Sequence, residues 1–127
     1  MAKADFLKKR AEEFLKTADY HLREKIYSLA AFDLEQTLQL YLKYYIFLKL
    51  ADFPKTHDLI ELLKGIGRVY KKETAIEKIL KEKPNLISDL NQAYLTSRYL
   101  PVEFSKQQVE NMKEFVKEII KFLKSYE

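Results

Sequence analysis

The chain has 127 residues, and 23 lysines and arginines against 19 aspartates and glutamates give it a net charge of +4. This length fits a single domain over residues 1–127, large enough to bury a core without metals or disulfides. The absence of cysteine excludes disulfides, thiolate catalysis and sulfur-ligated metals, and two histidines are too few for a histidine-rich metal site.

Charge and hydropathy exclude further classes of protein. Basic and acidic residues interleave, which is not the pattern of a nucleic-acid clamp, although a locally basic patch can still bind an anionic partner. The apolar run over residues 41–50 contains lysines and is about half the roughly 20 residues that a membrane span needs. The chain begins without the apolar core of a secretion signal. We therefore expect a cytoplasmic protein outside the membrane, and the 33% of charged residues is typical of heat-adapted proteins.

Apolar residues recur every three or four positions, which predicts a first helix over residues 3–23 and a second over 25–50. The second helix is apolar around most of its circumference, as expected of a central helix. Its narrow polar strip is predicted to face solvent or a partner and consists of Ser28, Glu35, Gln39 and Lys43. Asp33 falls within the apolar stripe, where an unpaired carboxylate is costly to bury, and Arg98 is its natural partner.

A third helix is predicted after Pro54, with Thr56 as its cap and with Gly65 and Gly67 ending it. A brief helix is predicted within residues 71–83, because Thr74 and Glu77 match a capping box.

Proline and serine mark the last two helices. Pro84 opens one helix, and Pro101 prevents it from continuing through Leu100. Ser105 and Gln108 match a capping box at the start of the final helix. Amphipathic helices joined by short loops predict an all-α fold, an antiparallel up-down bundle of four to five helices.

The segment before Pro101 carries the most informative polar residues. Asn91, Tyr94 and Arg98 are three or four residues apart and share a helix face, and Tyr99 follows directly. The planar guanidinium of arginine suits phosphate and a tyrosine ring offers a stacking surface, so this face can bind a nucleotide or RNA. The alternative is structural, with Arg98 complementing the helix dipole and pairing with an internal acid.

His57 and Asp58 can form an acid/base group with its orienting carboxylate, but they also suit a capped helix start, which is the more frequent arrangement. His21 is predicted to lie on the surface. The pair Gly65 and Gly67 lacks the third glycine and the preceding strand of a dinucleotide loop, and the sequence contains no metal-ligand spacing, so neither a cofactor nor a metal is expected.

Three blocks of sequence together resemble the HEPN domains, small all-helical proteins associated with nucleotides and RNA. These blocks are residues 27–36, residues 56–59, and residues 93–94 with 97–99. The resemblance implies a four- or five-helix bundle that is commonly a homodimer. It also implies a gene often placed beside a minimal nucleotidyltransferase, with which the HEPN protein forms a toxin-antitoxin pair.

Active ribonucleases of this family carry an arginine followed a few residues later by a histidine, and the two meet across a dimer interface to cleave RNA without metal. Arg98 matches the arginine, but Glu103, Phe104 and Ser105 occupy the histidine window. We therefore expect a binding protein, with a nucleotide, RNA or a nucleotidyltransferase at the Arg98 face. One alternative is a metal-independent endoribonuclease in which Glu103 or His57 assists Arg98 and Asp33 orients it. The other is a dimerisation or docking module in which Arg98 is tied to Asp33.

Overall fold

The computed structural model describes residues 2–127, with side chains from residue 5 onward. All regular structure in this range is helical, which confirms the all-α class and the helical bundle. The six helices are α1 (Ala2–Arg23), α2 (Tyr27–Leu50), α3 (Leu59–Tyr70), α4 (Glu73–Glu82), α5 (Pro84–Tyr99) and α6 (Lys106–Lys124).

Helix α2 is the centre of the bundle, as its apolar circumference predicts. It packs against α1, α3, α5 and α6, while α4 packs on α3. Its fully buried side chains include Leu34, Leu38, Leu42 and Tyr45. A tight turn joins α1 to α2, with Lys25 in the left-handed region at φ 61° and the Ile26 N–H donating to the His21 carbonyl at 2.8 Å. The core therefore forms around α2.

Helix α3 begins and ends later than its sequence predicts. Asp58 is the N-cap and accepts from the Ile60 N–H at 3.0 Å, whereas the Thr56 hydroxyl accepts from the Asp58 N–H before the helix begins. The predicted Thr56 cap is therefore wrong by two residues. Gly65 and Gly67 lie inside the helix, which continues to Tyr70, so their prediction as helix ends is also wrong.

The two glycines serve close packing. A Cβ on Gly65 would lie 3.2 Å from Ile46 Cδ1, and one on Gly67 would lie 3.2 Å from both the Glu73 Cα and the Ile76 Cγ1. The absence of a side chain at Gly67 thus permits α4 to pack closely against α3.

The later boundaries follow the sequence closely. Pro84 is the first residue of α5, and Leu100 is extended ahead of Pro101, as predicted. The capping box of α6 is present, with the Gln108 N–H donating to Ser105 Oγ and the Ser105 N–H donating to Gln108 Oε1. The capping box predicted for the brief helix is absent, because α4 begins one residue before Thr74.

Candidate functional site

A cluster of aromatic and basic side chains lies where α5 ends. We call it the arginine face and define it as Phe32, His57, Tyr94, Arg98 and Tyr99. Phe32 comes from α2, His57 from the segment before α3, and the other three from the last turns of α5. Pro101 places Arg98 at this end of the helix, because α5 cannot continue beyond it.

The guanidinium of Arg98 is held in place and exposed. Its Nε and Nη2 donate to the Tyr94 carbonyl, one helical turn earlier in α5, at 2.9 and 2.6 Å. Its Cζ lies 4.8 Å from the ring centroid of Phe32, 4.6 Å from that of Tyr94 and 4.9 Å from that of Tyr99. Cation–π contacts of this kind orient a guanidinium, and its remaining N–H donors can bind a ligand.

His57 also belongs to the arginine face. Its exposed ring stacks on Tyr94 with centroids 4.3 Å apart and planes at 5°. Of the two arrangements that the sequence left open for Asp58, the structure has the capped helix start, because Asp58 Oδ1 accepts from the Ile60 N–H and from Asn91 Nδ2. Asp58 therefore caps a helix, whereas His57 and Arg98 both contact the ring of Tyr94.

Asn91 is a structural residue in this fold. Its Oδ1 accepts from the Leu59 N–H at 2.9 Å and its Nδ2 donates to Asp58 Oδ1 at 3.2 Å. Both polar atoms of the side chain thus tie α5 to the start of α3. The structure does not place Asn91 with the exposed groups of Tyr94 and Arg98.

The predicted pair of Asp33 and Arg98 is wrong. Asp33 is buried, and its Oδ2 lies 2.6 Å from Nδ1 of His21. Successive residues of a helix point about 100° apart, so Phe32 lies under Arg98 while Asp33 contacts α1. His21, predicted as a surface residue, has only 18% of its side chain exposed. Burial raises the pKa of Asp33, and the hydrogen bond and charge of His21 partly offset that shift.

Glu35 lies in an environment that its place in the sequence does not predict. Its spacing predicts a strip that faces solvent or a partner, but Glu35 is fully buried, and Gln39 is buried beside it. Its carboxylate accepts from Gln36 Nε2 at 2.7 Å and from Gln39 Nε2 at 2.9 Å, and Lys43 Nζ donates to Gln39 Oε1 at 3.0 Å. The four-residue spacing that suggests a surface strip also fits a buried hydrogen-bonded ladder.

Electrostatics connect Glu35 to the arginine face. Burial raises the pKa of Glu35 to about 7, while its two amide hydrogen bonds and the charges of Lys43 and Arg98 act in the opposite direction. A buried carboxyl group that titrates near neutrality beside a candidate site is a recognised mark of functional regions, although structural networks produce it too. In the sequence, the signal for this group is an acidic residue within an otherwise apolar helix.

The histidine window contains one uncommitted polar side chain. Phe104 is buried and Ser105 caps α6, whereas Glu103 is exposed and forms no ion pair within residues 5–127. The segment is fastened to α2, because Ser28 Oγ donates to the Val102 carbonyl at 3.1 Å. Glu103 is therefore the candidate for acid/base chemistry in this window.

No helix over residues 2–127 is both long and apolar enough to cross a membrane.

Comparisons with known proteins bear on the family and the fold. A family model for the HEPN domain matches residues 4–126. The crystal structure of the protein TT1696 from Thermus thermophilus superposes with a TM-score of 0.75, covers 100% of both chains and is 18% identical in sequence. At that identity the likeness shows the fold alone. No curated protein matches the chain.

Proposed function

The chain belongs to the HEPN domain family, and we propose that within this family it is a binding protein that contacts a nucleotide or RNA through the arginine face. The exposed guanidinium of Arg98, ordered by a main-chain carbonyl and three aromatic rings, carries this proposal. An ordered guanidinium binds phosphate with little loss of side-chain entropy, and a neighbouring ring can stack on a base.

Exposure distinguishes this function from a purely structural one. The structural alternative needs Arg98 tied to Asp33, but Asp33 pairs with His21 and Arg98 is exposed. Tyr99 is 70% exposed beside it, which leaves a broad aromatic surface for a base. A purely structural role for Arg98 does not require its guanidinium and the neighbouring Tyr99 ring to be exposed.

The experiment is an RNA-binding titration with a labelled single strand, followed by fluorescence anisotropy. We expect Arg98→Ala to weaken binding by at least about tenfold, because a charge-assisted contact and its stacking surface are lost together. The matched control is Arg68→Ala, since Arg68 is another exposed arginine in the last turn of a helix. Equal affinity of the two variants for RNA and for nucleotides would refute the proposal.

A metal-independent endoribonuclease is the second candidate function. The stacking of His57 on Tyr94 favours it, because an imidazole then lies on the same face as Arg98. Incubating structured RNA with the protein and a chelator tests this activity. Cleavage must disappear in Arg98→Ala and fall in His57→Ala or Glu103→Gln, and no cleavage above the Arg98→Ala background would dismiss the enzyme.

The proposal extends to partners. A minimal nucleotidyltransferase encoded beside this chain would be its partner in a toxin-antitoxin pair, in line with the resemblance of the sequence blocks. Co-expression of both proteins with a tag on one should yield a complex that survives gel filtration. Separation of the two proteins into distinct peaks would refute the pairing and leave the RNA-binding proposal to its own test.

A homodimer is part of the same proposal. Large apolar side chains stand exposed around the arginine face, namely Leu29, Leu95, Leu100 and Val102 at 39–55% exposure. Several large apolar side chains exposed near one another in sequence are typical of interaction sites. A second copy on this surface would bring two Arg98 side chains near one another.

A further inference from the structure

An open groove of about 490 Å³ lies between the end of α1 and the start of α6. We call it the α1–α6 groove, and its polar lining includes Asp19, Arg23, Lys25, Tyr27, Lys106 and Lys113. Both helices pack on α2. Its volume is in the range of sites for small molecules. None of its lining residues belongs to the arginine face.

The lining of the groove has an excess of positive charge. Four basic residues face two acidic ones, Asp19 and Glu110, so the balance is four minus two, or +2. One cation is already neutralised, because Lys113 Nζ lies 2.5 Å from Asp19 Oδ1.

The other three cations are Arg23, Lys25 and Lys106, and they form no ion pair within the described part of the chain. All three are exposed residues whose side chains line one concave surface. Like charges held near one another repel, and an anion between them removes that repulsion. Lys106 is also the first residue of α6, whose 19 residues direct the positive end of the helix dipole toward the same region.

We propose that the α1–α6 groove is a second anion site, separate from the arginine face, that binds a phosphoryl group. Arg23 would contact two phosphate oxygens with its planar guanidinium, while Lys25 and Lys106 neutralise the remaining charge. Tyr27 adds a phenol to the lining and can donate to a phosphate oxygen. A phosphate suits this lining, in which the three cations stand against Glu110, better than a single carboxylate would, because phosphate offers more acceptor oxygens and more charge.

The first test uses inorganic pyrophosphate and isotope-labelled protein, with amide shifts recorded by NMR. We expect saturable shifts at Arg23, Lys25 and Lys106, and a loss of affinity of at least about tenfold in the double variant Lys25→Gln/Lys106→Gln. Lys9→Gln/Lys121→Gln is the matched control, because it removes the same charge from exposed residues outside the groove. The control should change the affinity by less than about twofold.

The second test identifies the source of the phosphate with single-stranded RNA of roughly 12 nucleotides. If the groove takes backbone phosphates, the groove variant lowers the RNA affinity and reduces the salt slope by about 1.4 relative to the control. If only pyrophosphate binding falls, the site accepts a free phosphorylated molecule. Either result supports a phosphoryl site.

Two results would overturn the inference. One is equal affinity of the groove variant and its control for pyrophosphate. The other is a glutamate decamer that shifts the groove amides as strongly as pyrophosphate, which would indicate a docking site for an acidic protein segment. Repeating the pyrophosphate titration in Arg98→Ala separates this site from the proposed function, because the groove shifts should persist when the arginine face is disabled.

Discussion

Arg98 combines an ordered position with exposure, which charged surface residues seldom achieve. Its hydrogen bonds go to a carbonyl one helical turn earlier and three aromatic rings surround its guanidinium, so its position does not require a ligand. The sequence indicated this position, because Pro101 fixes the end of the helix and the spacing of Tyr94 and Arg98 fixes their common face.

Lysine should not replace arginine at this position. Arg98→Lys keeps the charge, but it cannot donate two parallel hydrogen bonds to phosphate or stack as a plane on the three rings. We expect the RNA affinity to fall by nearly as much as in Arg98→Ala, with the melting temperature unchanged. Anisotropy and thermal denaturation measure the two quantities. Wild-type affinity in Arg98→Lys would show that charge alone acts here.

Glu35 predicts a pH dependence of stability. Burial raises its pKa from 4.5 to about 7, so between these values the folded state binds more protons than the unfolded state. The free energy of unfolding should therefore fall as pH rises from about 4.5 to about 7 and level off above, by up to roughly 3 kcal/mol.

Glu35→Gln isolates this contribution, because the amide keeps the shape of the side chain and cannot ionise. Urea denaturation at several pH values should show the variant gaining stability relative to wild type as pH rises through this window. The comparison cancels the effect of Asp33, whose pKa is also raised. A constant difference between the two proteins at all pH values would contradict the assigned pKa.

The sequence does not predict which side chains meet between neighbouring helices. The pairing of Asp33 with His21 depends on which neighbour lies on each side of α2, and that is decided by the packing of α1 and α5 together. The burial of Glu35 has the same origin. Periodicity identifies a helix face, but it does not name the element that covers it.

Among the helices, α3 and α5 are joined by Asn91. Its amide accepts from the Leu59 N–H and donates to Asp58, so it completes the cap of α3 from another helix. We expect Asn91→Ala to destabilise the protein by about 1–3 kcal/mol, because a backbone N–H loses its partner. Gln92→Ala is the control, since the Gln92 side chain is exposed and bonds only Ser88; a loss of similar size there would contradict the assigned role.

The two glycines of α3 should respond differently to alanine. Alanine favours a helix interior over glycine by about 1 kcal/mol. At Gly65 the obstacle is the mobile end of Ile46, so Gly65→Ala should be neutral or stabilising. At Gly67 the obstacle includes the backbone of Glu73, which cannot move easily, so Gly67→Ala should destabilise. Chemical denaturation of both variants decides, and the reverse order would contradict this packing.

Helix boundaries were predictable where a local rule decides them. Pro84, Pro101 and the Ser105 capping box act within a few residues, and all three behave as expected. The prediction that Gly65 and Gly67 end the helix is wrong, because a sequence does not distinguish a glycine needed for close packing from a glycine that ends a helix. Helix α3 instead ends at Tyr70, and its C-cap Lys71, with a φ of 57°, supplies the left-handed turn without glycine.

At the scale of the whole molecule, the apolar surface around the arginine face predicts a dimer. Light scattering after gel filtration should give about twice the chain mass of 15.2 kDa. Leu95→Glu should yield a monomer, because it places a charge in the exposed apolar surface. Leu50→Glu is the control, since Leu50 is also exposed but ends α2 away from this surface. A monomeric wild-type protein would contradict the proposal.

The central claim is that Arg98 contacts the ligand directly, and the NMR signal of its side-chain Nε–H reports on that contact. Titration with single-stranded RNA should shift this signal saturably, together with the ring signals of His57, Tyr94 and Tyr99. An Nε–H signal that stays unchanged at saturating RNA, while signals elsewhere on the protein move, would contradict the account.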